Sequence, residues 1–473
     1  MAAVQFACQA YQSHALQLDA QQCINMYVEK SPKDAKSQVP VFGSAGLNNF
    51  ATCFAGPGAV YDIRVVTGQT YAVTSHGLYL IVGAGSADLL AGFTPAGRTG
   101  VANNDTQIEI VDGTNTWCYD IPSATLNTLT GGANVYPANT VAYFDDYFLL
   151  DRAGTNFVDY SALSDGTSFD GLDFFSADAD PDIVLGVSAV HEQLLIIGSK
   201  TIEFWWDAGA LNQPFQRIQS TLLQRGMAAP LAFVQEDNTL FWLGNDGIFY
   251  RLQNFFPLRV SQHAMEAAWQ TYSTMTDVFC FSYTQEGHKF IVLTFPSAPA
   301  TWVLDLSTML WHQRESWDAN DTSYGRWRGN CACYSFDQIL IGDAYTGQIG
   351  IADFNVFTEY GNTMRGLITS PPIQEDRRRI FLKRFELDVT SGVGLTSGQG
   401  ENPIVVLDWS DDGGVTWNTQ QVLLYMGRKG EYTKRLYRRR LGQSRSRVLR
   451  LQTTDPVRRN FIGFYSDAQA GIG

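Results

Sequence analysis

Apolar and polar positions alternate along residues 191–209, HEQLLIIGSKTIEFWWDAG. Leu194 to Ile197 reads as one strand, Gly198-Ser199-Lys200 as a turn, and Ile202, Phe204 and Trp206 share one face of a second strand. Period-2 alternation of β-branched and aromatic residues around a Gly-Ser break predicts a β-hairpin. The same pattern returns at 69–81, 107–121, 147–163, 239–252, 289–306 and 338–353. The turns fall near Gly77, Gly113, Gly154, Gly198, Gly247, Ser297 and Gly347, a mean spacing of 45 residues. A strand-rich unit repeated every ~40–50 residues is the propeller period. A lone hairpin cannot bury both faces, whereas blades stacked around an axis can. The pattern therefore predicts an all-β chain with a six- or seven-bladed β-propeller over 51–365. Both blade counts stand, because one of the seven hairpins could close the ring or decorate it.

Three other stretches read differently. Residues 1–50 are polar and irregular, and are expected to form an N-terminal arm lying on the propeller or on a partner. Residues 261–272 predict a helix with Ser261 as N-cap and with Met265, Ala268, Trp269 and Tyr272 on its packed face. His263 is then a surface or packing residue rather than a ligand. At 361–373 the Pro371-Pro372 pair stops regular structure. Strand-like runs at 380–389, 403–410, 419–425, 447–453 and 461–466 predict a C-terminal β-sandwich-like domain over 366–473.

Charge sharpens that boundary. The chain carries −14 overall, but residues 361–473 hold 18 Lys and Arg against 11 Asp and Glu, or +7, leaving −21 on residues 1–360. An acidic body argues against that body gripping nucleic acid. It suits a surface that DNA passes without sticking, or simple solubility. No apolar run approaches the ~18–20 residues that span a bilayer. The N-terminus lacks a basic segment followed by an apolar one, so no secretory signal is expected. Seven cysteines with no framework spacing read as reduced, mostly buried thiols of a cytosolic product. Cys331 and Cys333 would share one strand face, but no second Cys or His pair lies nearby, which disfavours metal. Asp178, Asp180 and Asp182 alternate as in a calcium loop. Such a loop needs Gly at its sixth position and Glu at its twelfth, where Ile183 and Ala189 stand, so an acidic surface loop is expected. Neither metal nor cofactor is expected.

Two motifs could carry chemistry. Residues 410–417, SDDGGVTW, fit an Asp-box: Ser410, Asp412, Gly414, Thr416 and Trp417. The Asp412 carboxylate would accept backbone N–H groups, Gly414 would permit a left-handed turn, and Trp417 would plug the core. Asp-boxes occur in sialidases, so a glycan-binding or glycan-hydrolysing propeller is the alternative reading. Hydrolysis would need a carboxylate pair or a Tyr nucleophile with clustered arginines on the propeller face. The arginines before residue 365 do not fall at repeated blade positions, so no catalytic residues are assigned and no enzyme is expected. The second motif is the basic run 428–450, with Arg438, Arg439, Arg440, Arg445, Arg447 and Arg450 as a candidate protein-docking patch. It reads either as a solvated strand edge, where charge blocks unwanted pairing, or as a patch that docks on an acidic neighbour. A nucleic-acid patch ranks behind both.

The chain also resembles a known family. INMYVEK (24–30), YSALSDGTSFDGLDFFSADADPD (160–182), LLIIGSKTIEFWWDAG (194–209), PFQRI (214–218), QRGMAA (224–229), VSQHAMEAAW (260–269) and RRRLGQSRSRVLRLQTTDPV (438–457) are similar, in order, to the tail hub, or nozzle, proteins of short-tailed bacteriophages. These are also called packaged-DNA stabilisation proteins. The resemblance implies a virion tail protein made in the host bacterial cytoplasm. It implies a homo-oligomer, a hexamer, seated below the portal adaptor (head-to-tail connector) and carrying a tailspike or tail fibre and a tail needle. It further implies a role in retaining packaged double-stranded DNA and then conducting it outward without sequence-specific binding.

Overall fold

The structure, a computed structural model, describes residues 2–3, 6, 9–131, 134–210, 213–318, 321–376 and 378–471. All seven expected hairpins are present, and each forms the middle of a four-stranded antiparallel blade. Blade one runs Val60–Val66, Gln69–Thr74, Gly77–Gly83 and Ser86–Ala91. The inner strands of blades two to seven are Gly100–Asn103, Val141–Phe144, Val184–Val190, Phe233–Glu236, Phe279–Gln285 and Gly329–Ser335. The blade count is thus seven. Closure explains it: the outer strand of blade seven is Gly46–Pro57, which pairs antiparallel with Thr346–Asp353 in the register Ala352↔Leu47 and Ile349↔Ala51. The ring is latched by chain from the other end of the propeller.

This changes the role of the first fifty residues. Rather than lying as an arm on a finished surface, they are woven into both domains. Met26–Val28 and Val41–Gly43 extend one sheet of the C-terminal sandwich, whose order is Leu436–Arg439, Ile380–Val389, Asn460–Ala470, Val41–Gly43, Met26–Val28. Cys23–Ile24 lies between the outer strand of blade six, Leu310–Asp318, and the sandwich strand Gly366–Thr369. One sheet therefore continues from blade six through Gly366–Thr369, Ser446–Thr453 and Ile404–Ser410 to Val422–Tyr425. Asn25 fixes this seam. It is fully buried with φ 52°. Its side-chain amide donates to the carbonyls of Glu315 (3.0 Å) and Arg365 (2.9 Å), and its side-chain oxygen accepts from the Glu315 amide (3.1 Å). The Arg365 and Glu315 side chains pair in a fork at 2.7 and 2.8 Å beside it.

The helix is shorter than expected, His263–Gln270, and its N-cap is Gln262 without a side-chain cap bond. Ser261 is occupied elsewhere: its hydroxyl donates to Glu266 (2.6 Å) and accepts from the Phe249 amide (3.0 Å). Met265 and Trp269 are buried in the core shared by blades four to six, and His263 is exposed as expected. Among the cysteines, Cys23 is disulfide-bonded, which corrects the expectation of reduced thiols; Cys53, Cys118, Cys280, Cys331 and Cys333 are free, and Cys8 lies outside the described residues. Among the described residues no helix is long and apolar enough to cross a membrane.

Candidate interaction surface

The specific central motif 194–209 builds a clamp. Asp182, from the acidic loop, accepts hydrogen bonds from the amides of Lys200 (2.7 Å) and Thr201 (2.8 Å) and from the Ser199 hydroxyl. Burial pushes its carboxyl up, but these donors outweigh burial and hold it below its ordinary value. Gly226 of QRGMAA presses on the same turn. A Cβ there would lie 2.2 Å from the Lys200 nitrogen, so only glycine fits. Asp178 accepts from Asn156 at 2.8 Å. No cluster of three or more His, Cys, Asp or Glu able to hold a metal occurs among the described residues.

The Asp-box closes much as its chemistry requires. Asp412 accepts from the amides of Val415 (3.0 Å) and Thr416 (2.9 Å), and from the hydroxyls of Ser410 (2.6 Å) and Thr416 (2.5 Å). These donors, led by Ser410, hold its carboxyl well below the usual range. Gly414 has φ 96°. Trp417 does not plug the core. It is half-buried, and the Arg450 guanidinium lies 3.9 Å from its ring centre. Arg450 also reaches Asp408 at 2.9 Å, its cross-strand partner.

The predicted basic patch divides. Arg447 is buried and grips Asp411 through two bonds of 2.6 and 2.7 Å, so it belongs to the interior and not to a docking surface. Arg450 is likewise committed, to Asp408 and Trp417. Arg438, Arg439, Arg440 and Arg445 remain exposed, with no ion pair among the described residues. They lie on and just after the edge strand Leu436–Arg439, which pairs with Ile380–Val389 in the register Arg384↔Arg439. The guanidiniums of Arg384 (4.6 Å) and Arg439 (5.4 Å) both lie over the Tyr437 ring. Sequence reading missed three contributors, Arg378, Arg379 and Lys383, which are exposed on or beside the paired strand. The charge run at 377–379 was visible, but its pairing partner was not.

A second surface was not foreseen. Strand direction alternates within a blade, so every first-to-second-strand turn falls at one end of the propeller. Those turns carry Asp105, Asp145, Asp146, Glu192, Asp237, Glu286 and Asp337, all exposed. Six of the seven blades contribute to this acidic crown. Asp145 is raised by partial burial and by the carboxylates of Asp207, Asp146 and Glu192 beside it. One end of the propeller thus carries a ring of exposed carboxylates, of which Asp237 is paired with Lys289.

A seven-bladed propeller sharing a sheet with a β-sandwich, with exposed carboxylates ringing one propeller end and exposed arginines on a sandwich edge, defines a structural module. The chain belongs to the bacteriophage P22 Gp10 family: residues 10–357 match the model described as Bacteriophage P22 Gp10, beta-propeller, and residues 366–469 the one described as Bacteriophage P22 Gp10, beta-sandwich. It is thereby a phage virion protein of the tail-hub family. A comparison with curated proteins finds no match. Similar solved structures include the extracellular domain of the one-component system BT4673 from B. thetaiotaomicron (10% identity, TM-score 0.44, 82% of this chain and 48% of that one). Another is the N-terminal domain of Nup159 (8% identity, TM-score 0.38, 70% and 98%). A third is the designed Ika8 protein (12% identity, TM-score 0.37, 70% and 99%). The chain spans about half the length of the first of these.

Proposed function

We propose that this chain is a non-enzymatic subunit of a short phage tail. It assembles as a ring, a hexamer, below the portal adaptor, retains packaged DNA, and forms the conduit for its ejection. A tailspike or fibre and a needle attach to it. The observation that carries this reading is the continuous sheet from blade six into the sandwich, which makes two domains one stiff wedge. A stiff wedge repeated through one heterologous contact closes a ring. Charge complementarity supports the contact itself: the exposed arginines 438–440 and 445 of one copy suit the acidic crown of the next. The crown also suits a wall that DNA passes without adhering, because like charges repel.

Electron microscopy of particles tests this. Particles lacking the chain should show emptied heads. Supplying the Arg438→Glu, Arg439→Glu, Arg440→Glu variant should fail to restore filled heads, and wild-type incorporation should fall as salt rises. Stable, full heads without the chain would overturn the proposal. Normal assembly by the variant with weakened DNA binding would transfer the arginines to a DNA role.

A further inference from the structure

Glu109 stands in the middle of the second strand of blade two, Gln107–Val111, and its side chain is wholly shut away from water. Neither carboxyl oxygen has a hydrogen-bond partner among the described residues. The two neighbouring strands of the blade set Ala102 and Cys118 opposite it. The remaining cover comes from blade three: the buried Phe148 ring and the loop 161–173, which joins the third strand, Phe157–Tyr160, to the outer strand, Phe174–Ser176. Gly166 of that loop lies directly over the carboxyl. A Cβ there would stand 2.8 Å from Glu109 Oε2 and 2.9 Å from the Phe148 ring, so the close approach requires glycine. Ser164 and Thr167 beside it are exposed, so a single layer of chain separates Glu109 from solvent.

That layer is lightly tied to blade two. The Gly166 amide donates to Gln107 Oε1 at 2.8 Å, but Gln107 Nε2 reaches Asp165 only at 3.3 Å and Asn104 Nδ2 the Ser164 carbonyl only at 3.5 Å. Toward blade three, the Ser164 amide donates to the Asp146 carbonyl in the crown turn at 2.7 Å. Within the loop, the Ala162 amide donates to the Ser168 carbonyl (2.8 Å) and the Thr167 hydroxyl to Asp165 (2.7 Å), so 162–168 holds together by itself.

An ionised carboxylate without partners is not tolerated in an apolar interior; it must keep its proton or reach water. Under the closed loop Glu109 keeps the proton. With the loop open, water hydrates the carboxylate, which then ionises in its ordinary range. We propose that loop 161–173 is a pH-operated lid, closed over the neutral acid and opening to hydrate the carboxylate. Opening releases one proton, so rising pH favours it by up to about tenfold per pH unit. Only Cys118 and Asp165 titrate among the groups facing Glu109, and no cation does. Burial pushes the Cys118 thiol up, so it stays neutral. Burial also raises Asp165, but the Thr167 hydroxyl and amide and the Gln107 amide outweigh it and hold that carboxyl below its ordinary value, so it stays ionised. Neither supplies the dependence. Nothing in the ring-assembly reading requires the lid, so either can fail without the other.

Hydrogen exchange of the full chain, read by mass spectrometry from about pH 5 to about pH 8, tests it. Each rate, divided by the intrinsic rate at the same pH, gives the opening equilibrium of its segment. Opening of 161–173 should rise with pH, by up to about tenfold per unit, while the blade-five hairpin 239–253 stays level. Glu109→Gln, which keeps the side chain's shape but does not ionise, should level the loop as well. Loop opening that is unchanged across the range overturns the lid. So does an equal rise in the hairpin, which would make the opening global, or a pH dependence that survives Glu109→Gln. The two wild-type segments decide the matter even where the variant folds poorly.

Discussion

Buried charge is handled in opposite ways in two parts of the propeller. At the junction of blades six and seven, nearly every buried ion has a partner. Arg328 grips Asp343 in a fork of 2.7 and 2.9 Å and lies over Tyr360. Arg314 lies 3.6 Å from Glu359 and 4.0 Å from the Trp327 ring, and donates to the Ala45 carbonyl at 2.8 Å. Trp327 in turn donates to Glu359 at 2.9 Å. In blade two, Glu109 is fully buried and neither carboxyl oxygen has a hydrogen-bond partner among the described residues. Burial pushes this carboxyl well above its ordinary range; the Cys118 thiol, near it across the strand pair but outside hydrogen-bond geometry, offsets part of that, and Asp165 adds to it. The junction is where the N-terminal strand latches the ring and the sandwich attaches. Its pairs fix one geometry there, whereas Glu109 weakens a blade that no other domain joins.

That contrast can be broken at its strong end first. Replacing Asp343 with Ala strands the Arg328 cation in the interior, which should cost about 3–5 kcal/mol. A urea unfolding series should show the midpoint falling with an unchanged slope. A loss under 1 kcal/mol would mean the pair only breaks even. The weak end should respond in the opposite direction. The folded-state pKa of Glu109 is raised, so the folded chain keeps this proton longer than the unfolded one. Its cost is absent below the ordinary carboxylate range and grows as pH rises above it. Glu109→Gln should therefore be neutral near pH 4 and stabilising by about 1–3 kcal/mol near pH 8. Destabilisation at pH 8 would show that the carboxylate has a partner after all.

How much of this was readable in the sequence follows from range. The seven hairpins were legible because their alternation is local and strong, as at Leu194–Ile197 and Ile202–Trp206. Outer strands such as Phe174–Ser176 and Phe215–Arg217 have three residues each, too short for a period to register. The latch was hidden because Gly46–Pro57 pairs with a strand some 300 residues away. Glu109 sits at a polar position of QIEIV, which alternation assigns to solvent. In a propeller, both faces of a blade pack against neighbours, so the outward residue is buried as well. Arg447 misled for a related reason: among exposed arginines it looked like one more, yet its partner Asp411 sits inside the recognised Asp-box.

The smallest expected effect lies on the Asp-box, and it separates paired burial from pairing alone. Asp412 is as fully hydrogen-bonded as Asp343, but it stands at the surface, where water can take over each donor that Asp412→Ala would free. The stability it supplies is present above the ordinary carboxylate range and is lost as pH falls through its own lowered pKa. Asp412→Ala should thus lower the melting temperature at pH 7 by less than Asp343→Ala does, and the gap from wild type should narrow toward pH 2. Equal losses for the two variants at pH 7 would show that the number of hydrogen bonds, rather than burial, sets the strength of these carboxylates.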